Sequence, residues 1–406
     1  MEDKKRAGGL SKKRLKRLAD GMAAYVERGE VAGIVTLIHR DGEEVHFDAV
    51  GWQDGERRIP IERDSIFRIA SMTKPVASVA ALMLLEEGKL RLDDPIDNWL
   101  PELANRSVLH DPKGPLAKTY KAPRPITVLD LMTHRPGFAS QFIDLMGPIG
   151  KAVAKLHVGN GLLLLGTDVD EWLARLGALP LVHVPGERMN YGFTTDVLGF
   201  LVGRAAGKPL EGFLAERLFE PLGMRDTAFH VPKAKRGRLC VAYATDLKSG
   251  KRVVDDHPRE SKWASPPKVP SASAGLVSTA DDYAKFGRML LAGGKLGRER
   301  ILSRKTIELM TTDFLTPAQR RMLFMGFPMW KAQGFGLGVS VKDRLGGQAS
   351  LSSVGTYGWG GAYGTWWFND PKERITAVMM TQLLVGTLGS KLAPDFTNLV
   401  YQAIDD

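Results

Sequence analysis

The sequence predicts an α+β fold in which an antiparallel sheet flanked by helices carries an inserted, mostly helical segment. Three observations lead there. Strand-like patterns lie near both ends of the chain, helical periodicity dominates the middle, and a stretch with Pro266, Pro267 and Pro270 marks the return from one to the other.

Taken in order, Leu15, Leu18, Met22 and Val26 recur at helical spacing among charges, which predicts an amphipathic first helix. Residues 33–40 are β-branched and apolar, Asp41-Gly42 is a strong hairpin signal, and 44–50 alternates polar with apolar, so a β-hairpin follows. An apolar helix over 76–85 stops at Gly88. From Asp93 to about Lys268 the periodic segments are short and helical: 128–132, 169–176, 194–206 and 210–218. Near the end, 334–341, 364–368 and 375–380 read as strands, the last two joined by a turn over 369–373 with Pro371, and Phe396, Leu399, Val400 and Ala403 mark a closing helix. The expected division is a sheet domain from 1–93 plus 270–406, an inserted helical domain at 94–269, and an active site where they meet.

Composition narrows the function. With 406 residues, 44% hydrophobic and 25% charged, the chain is an ordinary globular one, and a single cysteine, Cys240, excludes a disulfide scaffold. The best apolar run, 161–166, is far short of the roughly 20 residues that span a bilayer, so no integral membrane segment is expected. The net charge of +10 is concentrated partly in the first 17 residues, which hold eight Lys and Arg but no apolar secretion core; a cytoplasmic protein is expected. No nucleic-acid signature accompanies the charge, so nucleic acid is not an expected partner. No His-x-x-x-His, Cys-x-x-Cys, phosphate-cradling loop, dinucleotide loop or Gly-x-Ser-x-Gly elbow occurs in a fitting context, so neither a metal nor a cofactor is expected.

What remains is Ser71-Met72-Thr73-Lys74. On a helix, residues three apart share a face, so Lys74 can reach the Ser71 hydroxyl as a base reaches a nucleophile. The same spacing recurs in Ser265-Pro266-Pro267-Lys268, where two prolines forbid the helix. Ser71, in contrast, follows an extended approach, 65–70, and begins the apolar helix, where the unpaired N–H groups and the positive dipole end favour a developing oxyanion. Residue types alone leave two readings open, a nucleophile with its base or a helix cap with a surface lysine.

The segment Ile66-Phe67-Arg68-Ile69-Ala70-Ser71-Met72-Thr73-Lys74, the stretch Leu90-Arg91-Leu92-Asp93-Asp94-Pro95, the block Ile126-Thr127-Val128-Leu129-Asp130-Leu131-Met132-Thr133-His134-Arg135-Pro136-Gly137, and Pro185-Gly186-Glu187 leading to Tyr191 occur in this order. Together they resemble the serine β-lactamase and penicillin-binding-protein superfamily over about 33–382, in particular its class C-like branch and the family VIII carboxylesterases. Two departures select the subclass. The Tyr-x-Asn of β-lactamases is Tyr191-Gly192-Phe193 here, and the Lys-Thr-Gly motif is replaced by Trp359-Gly360-Gly361. Tryptophan cannot pair with a carboxylate, which favours neutral esters over anionic peptides and lactams.

The resemblance implies a β-lactamase-like fold and a carboxylesterase acting on a small-molecule ester. Ser71 would be the nucleophile, with Lys74 and Tyr191 moving protons. The backbone N–H groups of Ser71 and Ala362 would form an oxyanion hole, and Trp359, Gly360, Gly361 and Phe193 would contact substrate. An acyltransferase of the same superfamily, a β-lactamase or D-amino-acid peptidase, and a non-catalytic binding module are the alternatives. Met325, Phe327, Met329 and Trp330 are candidates for an acyl pocket or for plain core packing. His134, His183 and His257 are assigned no role.

Overall fold

Eight antiparallel strands form the central sheet, in the order Gln333–Phe335, Ser340–Lys342, Tyr357–Gly360, Trp366–Asp370, Ile375–Met380, Gly33–Arg40, Glu43–Asp54 and Ile59–Pro60. The computed structural model describes residues 6–139, 147–158, 168–246, 248–324, 328–345, 350–384 and 391–406. The two ends of the chain meet inside the sheet, where Ile375–Met380 pairs with Gly33–Arg40 in the register Ile375 to Arg40 and Met380 to Val35.

Both faces of these central strands are covered, which explains why 33–40 shows no polar-apolar alternation through Ile34, Val35, Leu37 and Ile38. Ile34, Ile38, Ala377 and Met379 pack with the helices Lys12–Glu27 and Leu392–Tyr401, while Val35, Leu37, Val378 and Met380 face the opposite core, on the side of the helix Ala280–Leu291. Asp41 and Gly42 both take left-handed dihedrals, φ 54° and 83°, the requirement of the tight hairpin turn expected there.

The fold is α+β and β-lactamase-like, as expected, with local differences. The segment 334–341 is not one strand: a turn with Gly336 N–H donating to the Val339 carbonyl (2.8 Å) splits it into Gln333–Phe335 and Ser340–Lys342. Gly338 sits in that turn at φ +86°, and a Cβ there would lie 2.1 Å from Ser78 Oγ. The strand expected at 364–368 is Trp366–Asp370, because buried Asp370 accepts the Lys372 and Glu373 amides and starts the turn two residues later.

Between the sheet segments, the helices Val128–Met132, Val169–Gly177 and Thr194–Ala206 fall where helical spacing predicts them. This region also holds paired strands, Ser107–Leu109 with Thr119–Lys121 and Ala242–Thr245 with Arg252–Asp256, which are too short to show a period. Among the described residues no helix is long and apolar enough to cross a membrane; the run 161–166 lies outside them.

Candidate active site

The strand Phe67–Arg68 pairs with Val277–Ser278 and delivers the chain to a single 3₁₀ turn, Ala70–Met72, that runs into the helix Thr73–Glu86. Ser71 lies on that turn. Its approach is anchored by Arg68, wholly buried, whose guanidinium donates to the Asp256 carboxylate, to Ser261 Oγ (3.1 Å), to the Cys240 carbonyl (2.7 Å) and to Gln382 Oε1 (3.1 Å). Gln382 also bonds both backbone groups of Arg68, at 3.0 Å each. Both terminal nitrogens of this buried charge are bonded, Nε alone having no partner among the described residues, and these bonds leave the strand little freedom. Ala70, immediately before the serine, takes φ +44°, a conformation that costs about 1–3 kcal/mol for such a residue. It is held by Ile69 N–H on the Leu276 carbonyl (3.0 Å), Leu276 N–H on Thr73 Oγ1 (3.2 Å) and Tyr283 Oη on the Met72 carbonyl (2.8 Å).

Lys74 is buried, and its Nζ lies 3.3 Å from Ser71 Oγ, the contact anticipated from helical spacing. The same Nζ donates to the Ser273 carbonyl at 2.8 Å and lies 4.7 Å from the centre of the Tyr191 ring. Trp359 Nε1–H donates to Tyr191 Oη at 3.0 Å. Around the Tyr191 ring stand His134, Phe324 and Trp359, at centroid distances of 4.9, 5.0 and 5.5 Å. Burial, and then the charge of Lys74, push the His134 imidazole well below its ordinary range, so it is neutral; its Nδ1 has no partner among the described residues. Asp196, also buried, accepts from Ser271 Oγ (2.8 Å) and Ser273 N–H (2.9 Å); burial raises its carboxyl, opposed by these bonds and by Lys74.

The strand Tyr357–Gly360 brings the Trp359-Gly360-Gly361 turn against the serine turn. A Cβ on Gly361 would lie 2.2 Å from Thr365 Oγ1 and 2.3 Å from the Ile69 carbonyl oxygen, so only glycine lets the two backbones approach this closely. Thr365 Oγ1 donates to the same Ile69 carbonyl at 3.3 Å, and Gly361 N–H donates to the Thr365 carbonyl at 2.8 Å. Ala362 follows directly, and its amide has no protein acceptor among the described residues. The Ser71 hydroxyl, a buried amine and a phenol thus lie together, with the Trp359-Gly360-Gly361 turn packed against the serine turn.

A family model described as Beta-lactamase matches residues 18–401. The chain belongs to the beta-lactamase family. Within it, the chain is 41% identical over 359 residues to an uncharacterised protein of Mycobacterium tuberculosis, covering 88% of this chain and 87% of that one. It is 29% identical over 388 residues to the esterase EstB of Burkholderia gladioli, covering 91% of each. Among solved structures it resembles EstCE1, a hydrolase with promiscuous acyltransferase activity, with a TM-score of 0.82 and 27% identity over 96% of this chain and 99% of that one. Simvastatin synthase from Aspergillus terreus, at 24% identity and a TM-score of 0.78 over 96% of this chain and 95% of that one, shares the fold.

Not every residue expected at this beta-lactamase-family site lies beside Ser71. Phe193 is buried in the helical region, where its ring stacks on Phe138 (6.1 Å) and meets Trp172 edge-on (5.4 Å); its apolar character suits that core. Trp330 is also buried, packed on Phe324 and Phe335 behind Trp359, and Met329 lies against the same cluster, while Met325 and Phe327 fall outside the described residues. Sequence reasoning missed Ser273, Asp196, Phe324 and Phe335, and gave His134 no place although it sits in a quoted block. His134 alone carried a local signal, its place ahead of the turn residues Pro136-Gly137; the structure puts His134 at φ +56°.

Proposed function

We propose that this protein is a serine hydrolase that cleaves short- to medium-chain carboxylic esters through a covalent acyl-enzyme on Ser71. Ser71 Oγ attacks the ester carbonyl while Lys74 takes its proton, and the oxygen that becomes negative is received by the N–H groups of Ser71 and Ala362. The C–O bond to the alcohol then breaks, with a proton returned to the leaving oxygen through Lys74 and Tyr191. Water repeats the sequence on the acyl-enzyme, releasing the acid and restoring the Ser71 hydroxyl.

The observation that carries this reading is the Trp359 to Tyr191 hydrogen bond. It turns the third motif into an aromatic wall, Trp359 with Phe324 and Phe335, where a lysine of the lactam-cleaving pattern would receive a substrate carboxylate. A neutral acyl group suits that wall and an anionic one does not. The likeness to an esterase and to a hydrolase supports the same reaction class. Acyl transfer to an alcohol is the second reading, favoured by the acyltransferase side activity of EstCE1.

A panel of p-nitrophenyl esters from acetate to palmitate, run beside nitrocefin, tests both. Turnover is expected to peak among the shorter chains, with nitrocefin far slower. Nitrocefin turned over as fast as the best ester would overturn the assignment, and ester products exceeding free acid when an alcohol is added would make transfer the principal reaction.

A further inference from the structure

We propose that Asp196 is a positioning residue, holding Lys74 toward Ser71 through Ser271 and the peptide unit joining Ser273 to Ala274. The inference rests on the roles of Ser71 and Lys74 proposed above. Asp196 lies on the helix Thr194–Ala206, is 2% exposed, and is bonded by Ser271 and Ser273, with Lys74 the cation that acts on it. A carboxyl held so deep is costly unless it is hydrogen-bonded, and these bonds tie it to the segment that holds Lys74.

The bonds form a continuous path. Ser271 Oγ–H donates to Asp196 Oδ1 at 2.8 Å, and Ser271 Oγ accepts the Ala274 N–H at 3.1 Å. The carbonyl of that same peptide unit, on Ser273, accepts Lys74 Nζ at 2.8 Å, and Lys74 Nζ lies 3.3 Å from Ser71 Oγ. Ser273 N–H donates to Asp196 at 2.9 Å, so Ser273 is held from its amide as well. Each bond polarises the next in a buried setting, making the Ser273 carbonyl a stronger acceptor and giving the amine one direction. The titratable groups facing Lys74 are Tyr191, His134 behind that ring, and Asp196 at the far end of the path.

The test is Asp196→Asn, Ser271→Ala and the double variant, assayed on p-nitrophenyl butyrate with melting curves. Asp196→Asn preserves shape and removes the negative charge. Its kcat is expected to fall about tenfold or more with KM within about twofold, the loss of roughly one charge-assisted hydrogen bond. The acidic limb of kcat/KM should move to lower pH by about half a unit or more, since an anion favouring the protonated amine is gone. Ser271→Ala should shift both quantities in the same direction, and the double variant should be little worse than Asp196→Asn, because both act on one path. Unchanged kcat, a kcat loss with the pH limb in place, or additive losses in the double variant would each overturn the proposal. If Asp196→Asn fails to fold, Ser271→Ala decides by the same readouts. Ser71→Ala serves as the control: activity surviving there would refute the serine assignment itself, a separate outcome.

Discussion

The indole N–H of Trp359 donates to the Tyr191 hydroxyl at 3.0 Å, joining the motif that replaces Lys-Thr-Gly to the residue expected to move protons. Trp359 is 5% exposed and packs on Phe335 at 5.3 Å, so its position is set by the aromatic cluster. One residue thereby both takes the place of the motif's cation and bonds the phenol.

Trp359 is therefore expected to separate ester from lactam chemistry. Trp359→Phe keeps a ring but loses the donor, and kcat on a butyrate ester should fall by about tenfold, one hydrogen bond's worth. Trp359→Lys should raise kcat/KM for a carboxylate-bearing cephalosporin by about ten- to a hundredfold, from roughly 1.5–3 kcal/mol of charge-assisted bonding, while the neutral ester falls. A drop on both substrates would mean that the indole supports the turn and does not select charge.

Ser71→Ala should lose activity by roughly a million-fold, the scale seen when a nucleophile leaves a cooperating set. The fold should survive, because the turn is held by Ile69, Thr73 and Tyr283 rather than by the serine hydroxyl. A fluorophosphonate probe should label the parent protein and not the variant; comparable labelling of both would move the nucleophile elsewhere.

Lys74→Arg is expected to be nearly inactive, since guanidinium cannot act as a base near neutral pH and does not fit the buried amine's place between Ser71 and the Ser273 carbonyl. Tyr191→Phe should bind substrate with little change in KM yet lose most of kcat, as only the hydroxyl is removed. Steady-state kinetics on p-nitrophenyl butyrate check both, and a normal kcat in either variant removes that residue from the mechanism.

Gly361→Ala should damage stability and activity together. Its new methyl would press on the Ile69 carbonyl backbone, which cannot rotate away, costing about 1–3 kcal/mol and parting Ala362 from Ser71. A lowered melting temperature with lost turnover is the expected pair; a wild-type melt and rate would show that the turn yields.

Acid should destabilise the protein before its carboxylates titrate. Burial pushes His39 and His183 down to about 4, so both are neutral when folded, whereas an unfolded histidine takes a proton near pH 6.5. The unfolded chain binds more protons between these values, so this contribution is whole above about pH 6.5 and is lost as pH falls toward 4. The melting temperature should drop from pH 7.5 to pH 5, and the combined His39→Gln and His183→Gln variant should drop less.

Much of the scaffold is legible in local pattern. The hairpin at Asp41-Gly42, the strand Ile375–Met380 and the helix Thr194–Ala206 coincide with their expected bounds, because turn chemistry and side-chain period act between near neighbours. The strand at 334–341 misled because glycines that make a turn look like permissive strand residues until the φ of Gly338 and its contact with Ser78 are known. Phe193 could not be placed from its neighbour: Tyr191 lies beside Lys74, but two residues on, at the entrance to a helix, the chain has already turned into the core.

The sequence by itself determined the pairing of Ser71 with Lys74, since three residues of helix hold two side chains on one face whatever surrounds them. It also determined the chemical character of the third motif, an indole in place of a cation, which is a matter of residue type. Only the tertiary structure decided what Lys74 and Tyr191 touch: the Ser273 carbonyl lies 199 residues from Lys74 along the chain, and Trp359 lies 168 from Tyr191. No periodicity reports contacts of that separation, because they form only when the sheet has closed between the two ends of the chain and the intervening helices have packed against it.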